Sequence, residues 1–285
     1  MVLALLATAA GDGGTMAYAC GSDQVRELRI DDSGAVERWR WSAHAATDLR
    51  PEYRDRLLAH IDDCKPVDDG RTILVTASTG AVVLVDRASG RVRFRARAPM
   101  AHSAASLPGG LIAVVLSIAP DGDRLQLYDR RRSEQPLQTV PLPSGHGAVW
   151  NADRQRLFTL SHDLVQAFRL TGSGAAARLV ETARWTLPGR RDGHDLSPAP
   201  DGGYWVTTDD GVWRFEPGDG SFRAYAPLNP ARRVKSVSTI GGRVAWVQAQ
   251  ESWWANGFTM MNVDGSLRRR IVLDGIRLYK VRWAR

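Results

Sequence analysis

The stretch HDLSPAPDGGYWVT, His194 to Thr207, carries the pattern on which the fold turns. A polar residue opens a short segment, Asp201 and Gly202 break it, and an apolar, β-branched and aromatic run from Gly203 to Thr207 follows. Runs of this kind, bounded by Asp, Gly and Pro, read as short antiparallel strands. The same grammar recurs at Lys65 ahead of Asp69-Gly70, at His102 ahead of Pro108-Gly109, at His146 ahead of Asn151 and at Lys235 ahead of Gly241, while Lys280 opens a last copy at the chain end. These six openings lie 37 to 48 residues apart, the period of propeller blades.

A second repeat gives the same count. An apolar residue, then Asp or Glu, then a Gly-containing turn occurs at Ile30 to Gly34, Val85 to Gly90, Phe215 to Gly218 and Val263 to Gly265, with a degenerate form at Tyr128-Asp129 and a weaker one at Arg169 to Gly174. Each fits the hairpin between the third and fourth strands of a blade, where Asp and Gly supply turn geometry. Tyr279 to Ala284 begins like an innermost strand and stops, whereas Ala17 to Trp41 holds outer strands with no innermost strand before them. Joining the two closes the ring and removes exposed sheet edges. The chain is therefore expected to be all-β, a six-bladed propeller closed by its terminal strands. Seven blades is the alternative if residues 43 to 62 hide further strands, although Tyr53, Leu57, Leu58 and Ile61 suit a short helix or an irregular insertion.

The chain has 285 residues, 44% hydrophobic and 24% charged, which is enough to build a sizeable core and excludes a largely disordered protein. Residues 15 to 285 read as a single propeller domain. Residues 1 to 14 resemble a truncated secretory signal: MVLALLATAA is apolar and ends in small residues, but a basic start is missing. Export to the periplasm or beyond is the expectation, with no run long enough to span a membrane. Cys20 and Cys64 would pair in an exported protein or remain buried thiols; their spacing is not that of a zinc site.

The net charge of +7 comes from 35 arginines against three lysines. The arginines are scattered, and the compact runs Arg130 to Arg132 and Arg268 to Arg270 read as solvated hairpin tips, so nucleic acid is not the expected partner. In so arginine-rich a chain, three lysines at strand openings stand out. A position that needed only positive charge would be expected to hold arginine, whereas lysine offers a compact ammonium or an amine whose pKa can fall.

On this register His102, His146 and His194 form one half of a ring at the channel mouth, and Lys65, Lys235 and Lys280 the other. Three neutral imidazoles are a ligand set for a divalent metal, with manganese, calcium and zinc not distinguished, and the lysines suit binding of a carboxylate or phosphate. Ammoniums about 8 Å apart repel by about 2 kcal/mol at an effective dielectric near 20, so one lysine is poised to act as a base near neutral pH. Trp253 and Trp254 offer a sugar-stacking edge. Asp63 and Asp195 flank ring residues and would orient an imidazole or ammonium, while His44, His60 and His162 fall outside the register. No Walker motif, dinucleotide fingerprint or nucleophile-elbow serine occurs.

The motifs AHS with LPGG (Ala101 to Gly110), GHGAVW (Gly145 to Trp150), GHDL (Gly193 to Leu196), VKS (Val234 to Ser236) and YKVRW (Tyr279 to Trp283) resemble a family of bacterial propellers known as a domain of unknown function. At fold level the chain is also similar to quinoprotein and YVTN-type propellers, which says little about chemistry. The three histidines resemble in kind the manganese-holding pocket of oligogalacturonate lyases. That resemblance implies a metal-assisted lyase on acidic, uronate-containing saccharides, with His102, His146 and His194 as ligands and Lys65, Lys235 and Lys280 handling substrate charge and proton transfer. The competing expectation is a non-enzymatic module whose ring binds an anionic ligand or a protein partner.

Overall fold

The computed structural model describes residues 14 to 284 apart from Asp32 and Arg191, so the apolar segment read as a secretory signal lies outside the described residues. Six four-stranded antiparallel sheets follow one another around a ring. The innermost strands are Ile61–Val67, Ala101–Leu107, Gly147–Asn151, Gly193–Pro198, Val234–Ile240 and Leu278–Trp283. The last belongs to the sheet that continues into Thr15–Gly21, Gln24–Asp31 and Gly34–Ser42, so the two chain ends share one blade and no inner edge is left open.

Six hairpins join the third and fourth strands, and both the strong and the weak turn signals fall on them. In several the acidic residue does the work foreseen for it. The carboxylates of Asp31, Asp86 and Asp264 accept the backbone N–H groups of Ser33, Ser89 and Ser266, bending the chain before the glycine or serine that follows. Residues 43 to 60 add no blade: they form a single short helical turn, Tyr53–Leu57, whose Tyr53 and Leu57 join Leu58 and Ile61 in an apolar cluster between the closing blade and its neighbour.

Inner and middle strands are buried along almost their whole length, while the fourth strands alternate towards solvent. The core is a set of wedges between adjacent blades. In one, Phe158, Trp185, Tyr204 and Phe215 meet in stacked, tilted and edge contacts with ring centroids 4.7 to 6.3 Å apart. Cys20 and Cys64 form a disulfide that ties the closing blade to the innermost strand of the next, with Cα atoms 5.8 Å apart. Among the described residues no helix is long and apolar enough to cross a membrane.

Candidate functional site at the channel mouth

Five of the six innermost strands carry one extra residue near their start, opposite a partner strand that does not match it. The extra residues are Asp62, His102, His194, Lys235 and Tyr279. His146 occupies the same place, because its N–H and the register of Gly147 both address Leu160. A bulge re-aims the side chain it carries, and here five of them, with His146 at the equivalent place, create one ring at the channel mouth: Asp62, His102, His146, His194, Lys235, Tyr279.

The three histidines and Lys235 thus hold equivalent positions, as their spacing suggests. Lys65 and Lys280 do not. Lys280 follows the bulge residue Tyr279 by one position and Lys65 follows Asp62 by three, so both lie deeper in the channel. Spacing alone cannot resolve such an offset, since loop lengths vary from blade to blade. Tyr279 was visible inside the YKVRW motif, but Asp62 carries no signal that separates it from the neighbouring Asp63.

The rim is nearly continuous in aromatic and imidazole rings. His60 lies 5.3 Å from Trp253, Trp253 5.8 Å from Tyr279, Tyr279 6.0 Å from His102, His102 4.4 Å from His146 and His146 5.6 Å from His194, centroid to centroid. His60, placed outside the register by sequence, therefore reaches this rim through Trp253. Trp254 does not: it packs under the guanidinium of Arg277 beside a separate groove. His44 pairs with Asp55 at the surface, and His162 meets Asp192 at 3.1 Å.

The imidazoles of His102 and His146 are held alike. Each Nδ1 lies 2.9 Å from a backbone carbonyl two residues upstream, that of Met100 or Ser144. A carbonyl only accepts, so Nδ1 carries the proton and Nε2 the lone pair. Met100 and Ser144 adopt left-handed backbone, with φ of 52° and 48°, a conformation that costs free energy for residues other than glycine and turns these carbonyls toward the rings. Among the described residues neither Nε2 has a hydrogen-bond partner. Burial holds the His102 imidazole down to about 4 and His146 well below the usual histidine range, so both are neutral at pH 7. Gly147 permits the close approach behind His146, since a Cβ there would stand 2.6 Å from Cβ of Leu196.

His194 differs. Its Nε2 is 2.7 Å from Asp209 Oδ1 and 3.1 Å from Lys235 Nζ, so it either donates to the carboxylate or accepts from the ammonium, and among the described residues its buried Nδ1 is without a partner. Burial, then the charge of Lys235, lowers its pKa; burial also lowers that of Lys235. The three rings stand edge to face rather than around one point. Among the described residues, the one group of three or more histidine, cysteine or carboxylate side chains whose ligand atoms lie within 4.8 Å of one another is Asp192, His194 and Asp209.

Beneath the rim the channel is filled by ions. Arg282 spans it, giving hydrogen bonds to Asp63 at 2.8 and 3.1 Å and to Asp195 at 2.6 and 2.7 Å. Lys280, with no exposed surface, donates to the carbonyls of His102 and His146 and to Asp195. Lys65 donates to Ser103 Oγ and to the carbonyls of Ala104 and Ala148, and lies 3.3 Å from Asp63. Burial alone would raise Asp63 and Asp195; Arg282, helped by the lysines, holds both carboxyls below the usual range. The two aspartates do orient cationic groups, as their positions suggest, but the principal one is Arg282, which lies inside the YKVRW motif yet was given no role there.

No curated protein sequence matches the chain. Solved structures share its fold at low identity. The chain superimposes on a structure described as a nidogen/laminin complex with a TM-score of 0.65 and 13% identity, covering 95% of this chain and 99% of that one. A protein of unknown function from Bacteroides caccae gives 0.62 and 12% identity over 96% and 100%, and apo AztD from Citrobacter koseri 0.53 and 8% over 95% and 98%. Identities this low speak for the propeller and not for a shared activity. Residues 14 to 285 match a family of unknown function, DUF6528, and with nearly the whole propeller inside that match the chain belongs to this family.

Proposed function

We propose that this is an exported propeller whose channel mouth binds a small acidic saccharide and promotes β-elimination beside the sugar carboxylate. The observation that carries the reading is the pair His102 and His146: two neutral imidazoles, fixed by strained backbone, with both Nε2 lone pairs left for a ligand. Hydroxyl groups donate to such lone pairs. The ammonium of Lys235 supplies the charge that a uronate carboxylate needs, and Trp253 with Tyr279 offers the flat faces on which sugars pack. For elimination, one Nε2 takes the proton next to the carboxylate, the C–O bond to the leaving sugar breaks as the double bond forms, and the phenol of Tyr279, its pKa raised by burial, gives its proton to the departing oxygen. Lys65 and Lys280 take no part, since their donors are committed to the ion network below the rim. The disulfide supports an oxidising compartment.

A second reading keeps the acidic saccharide but places a divalent ion at the mouth as its handle. The close set Asp192, His194 and Asp209 favours it, and metal analysis of purified protein, wild type against His194→Ala, decides it. The test of the main reading is calorimetry with galacturonate and its oligomers, followed by ultraviolet detection of an unsaturated product. Binding and product, both lost in His146→Ala, are expected. Binding without product leaves a non-enzymatic uronate-binding module, and no binding removes the reading.

A further inference from the structure

The inner strands run the length of the channel, and their far ends enclose a separate cavity of about 250 Å³ on the side opposite the histidines. Its walls are apolar: Pro66, Trp150, Pro198 and Trp283 surround it. Its floor is the underside of the ion network, Lys65 and Arg282. We propose that this cavity is a second binding site, for a small organic anion with an apolar body, which seats its carboxylate on that floor.

The charges of the network carry the argument. Lys65, lowered by burial to about 8 and so still mostly charged at pH 7, brings with Lys280 and Arg282 close to three positive charges, against which Asp63 and Asp195 set two negative ones. Asp62, on the histidine side, accepts the backbone N–H of Ser78 and is pushed up to about 7 by burial, so it offsets the surplus only in part at neutral pH. A buried charge without a counter-charge is costly, and the accessible place to neutralise this one is the cavity floor, where the Lys65 side chain keeps 19% of its exposure.

The donors agree with an anion. Arg282 has five N–H groups, of which four are directed at Asp63 and Asp195. The second proton of Nη1 has no partner among the described residues. Ser238 Oγ accepts from the N–H of Trp283, which leaves its own O–H to give, and Ser106 lines the same space. Lys65 contributes charge alone, because its three protons are already placed. The volume and the tryptophan and proline walls suit an aromatic or branched aliphatic acid and reject a polysaccharide or a fully hydrated phosphate.

The test is calorimetry on the full chain with benzoate as probe and benzamide as its neutral isostere. Benzoate is expected to bind one to one, benzamide not at all, and Lys65→Met to weaken benzoate on the order of tenfold or more. Ser106→Trp, which adds bulk to the cavity from a residue that makes no hydrogen bond to the ion network, keeps the test decisive where Lys65→Met fails to fold: it is expected to abolish benzoate binding, whereas His146→Ala leaves it intact. Absence of saturable benzoate binding, equal binding of benzamide, binding that survives Ser106→Trp, or binding lost in His146→Ala each overturns the proposal.

Discussion

Replacing Arg282 by leucine tests the claim that ions, not apolar side chains, hold the channel together. The substitution deletes four charge-assisted hydrogen bonds of 2.6 to 3.1 Å made by a guanidinium that is almost fully buried. Asp63 keeps Ser103 and Lys65, and Asp195 keeps Lys280 and the N–H of Val237, so neither carboxylate is orphaned. Orphaning a buried charge costs about 3–5 kcal/mol, and because a lysine still faces each carboxylate here the loss should lie at the low end of that range. At about 2–4 °C per kcal/mol for a domain of this size, the melting temperature should fall by roughly 10 °C. Arg282→Lys restores the charge without the two-pronged geometry and should recover only part of the loss. The pH dependence has a definite sign. Carboxyls held below their unfolded value of about 3.9 contribute stability that is present above that pH and is lost as pH falls through their folded values. Wild type should therefore tolerate acid below pH 4 better than Arg282→Leu, whose acid transition moves upward. Urea titrations at pH 7 and pH 3 measure both effects. A loss under about 1 kcal/mol with an unchanged acid transition would refute the reasoning.

Because burial depresses the imidazoles of His102 and His146, the unfolded chain binds more protons than the fold between about pH 4 and 6.5, and stability should rise with pH across that window, by up to about 1.4 kcal/mol per unit for each histidine; denaturant midpoints of wild type and His102→Gln measure the difference, and equal slopes contradict it. The Cys20–Cys64 bond closes a loop with a sequence separation of 44, so reduction or a double serine substitution should cost about 4 kcal/mol on the chain-entropy account, and unfolded, unreduced protein should show no free thiol. Trp253→Ala should weaken uronate binding on the order of tenfold, while Trp254→Ala leaves it unchanged, in calorimetric titrations.

Blade number, closure and the six outer hairpins could be read from the chain because each rests on local chemistry repeated six times: strand runs, Asp-Gly turns and unmatched strands at the two ends. The site was legible by type and less so by register. His102, His146, His194 and Lys235 fall where the period puts them, yet the bulge that aims them shifts the count by one residue and leaves no mark in the sequence. That shift separates Lys280 from Tyr279 and sends a lysine into the ion network where a rim residue was expected. Lys65 was assigned to the rim by spacing alone, although three positions separate it from the bulge at Asp62. Arg282 was visible inside YKVRW, but in a chain with 35 arginines its type gave no sign that it bridges two buried aspartates while many others face water.

The most direct test of the account is a crystal of the protein soaked with galacturonate. The account predicts density at the histidine mouth, with sugar hydroxyls within hydrogen-bond distance of Nε2 of His102 and His146 and the carboxylate on Lys235. A mouth that stays free of sugar at saturating concentration, or sugar bound only elsewhere, contradicts it.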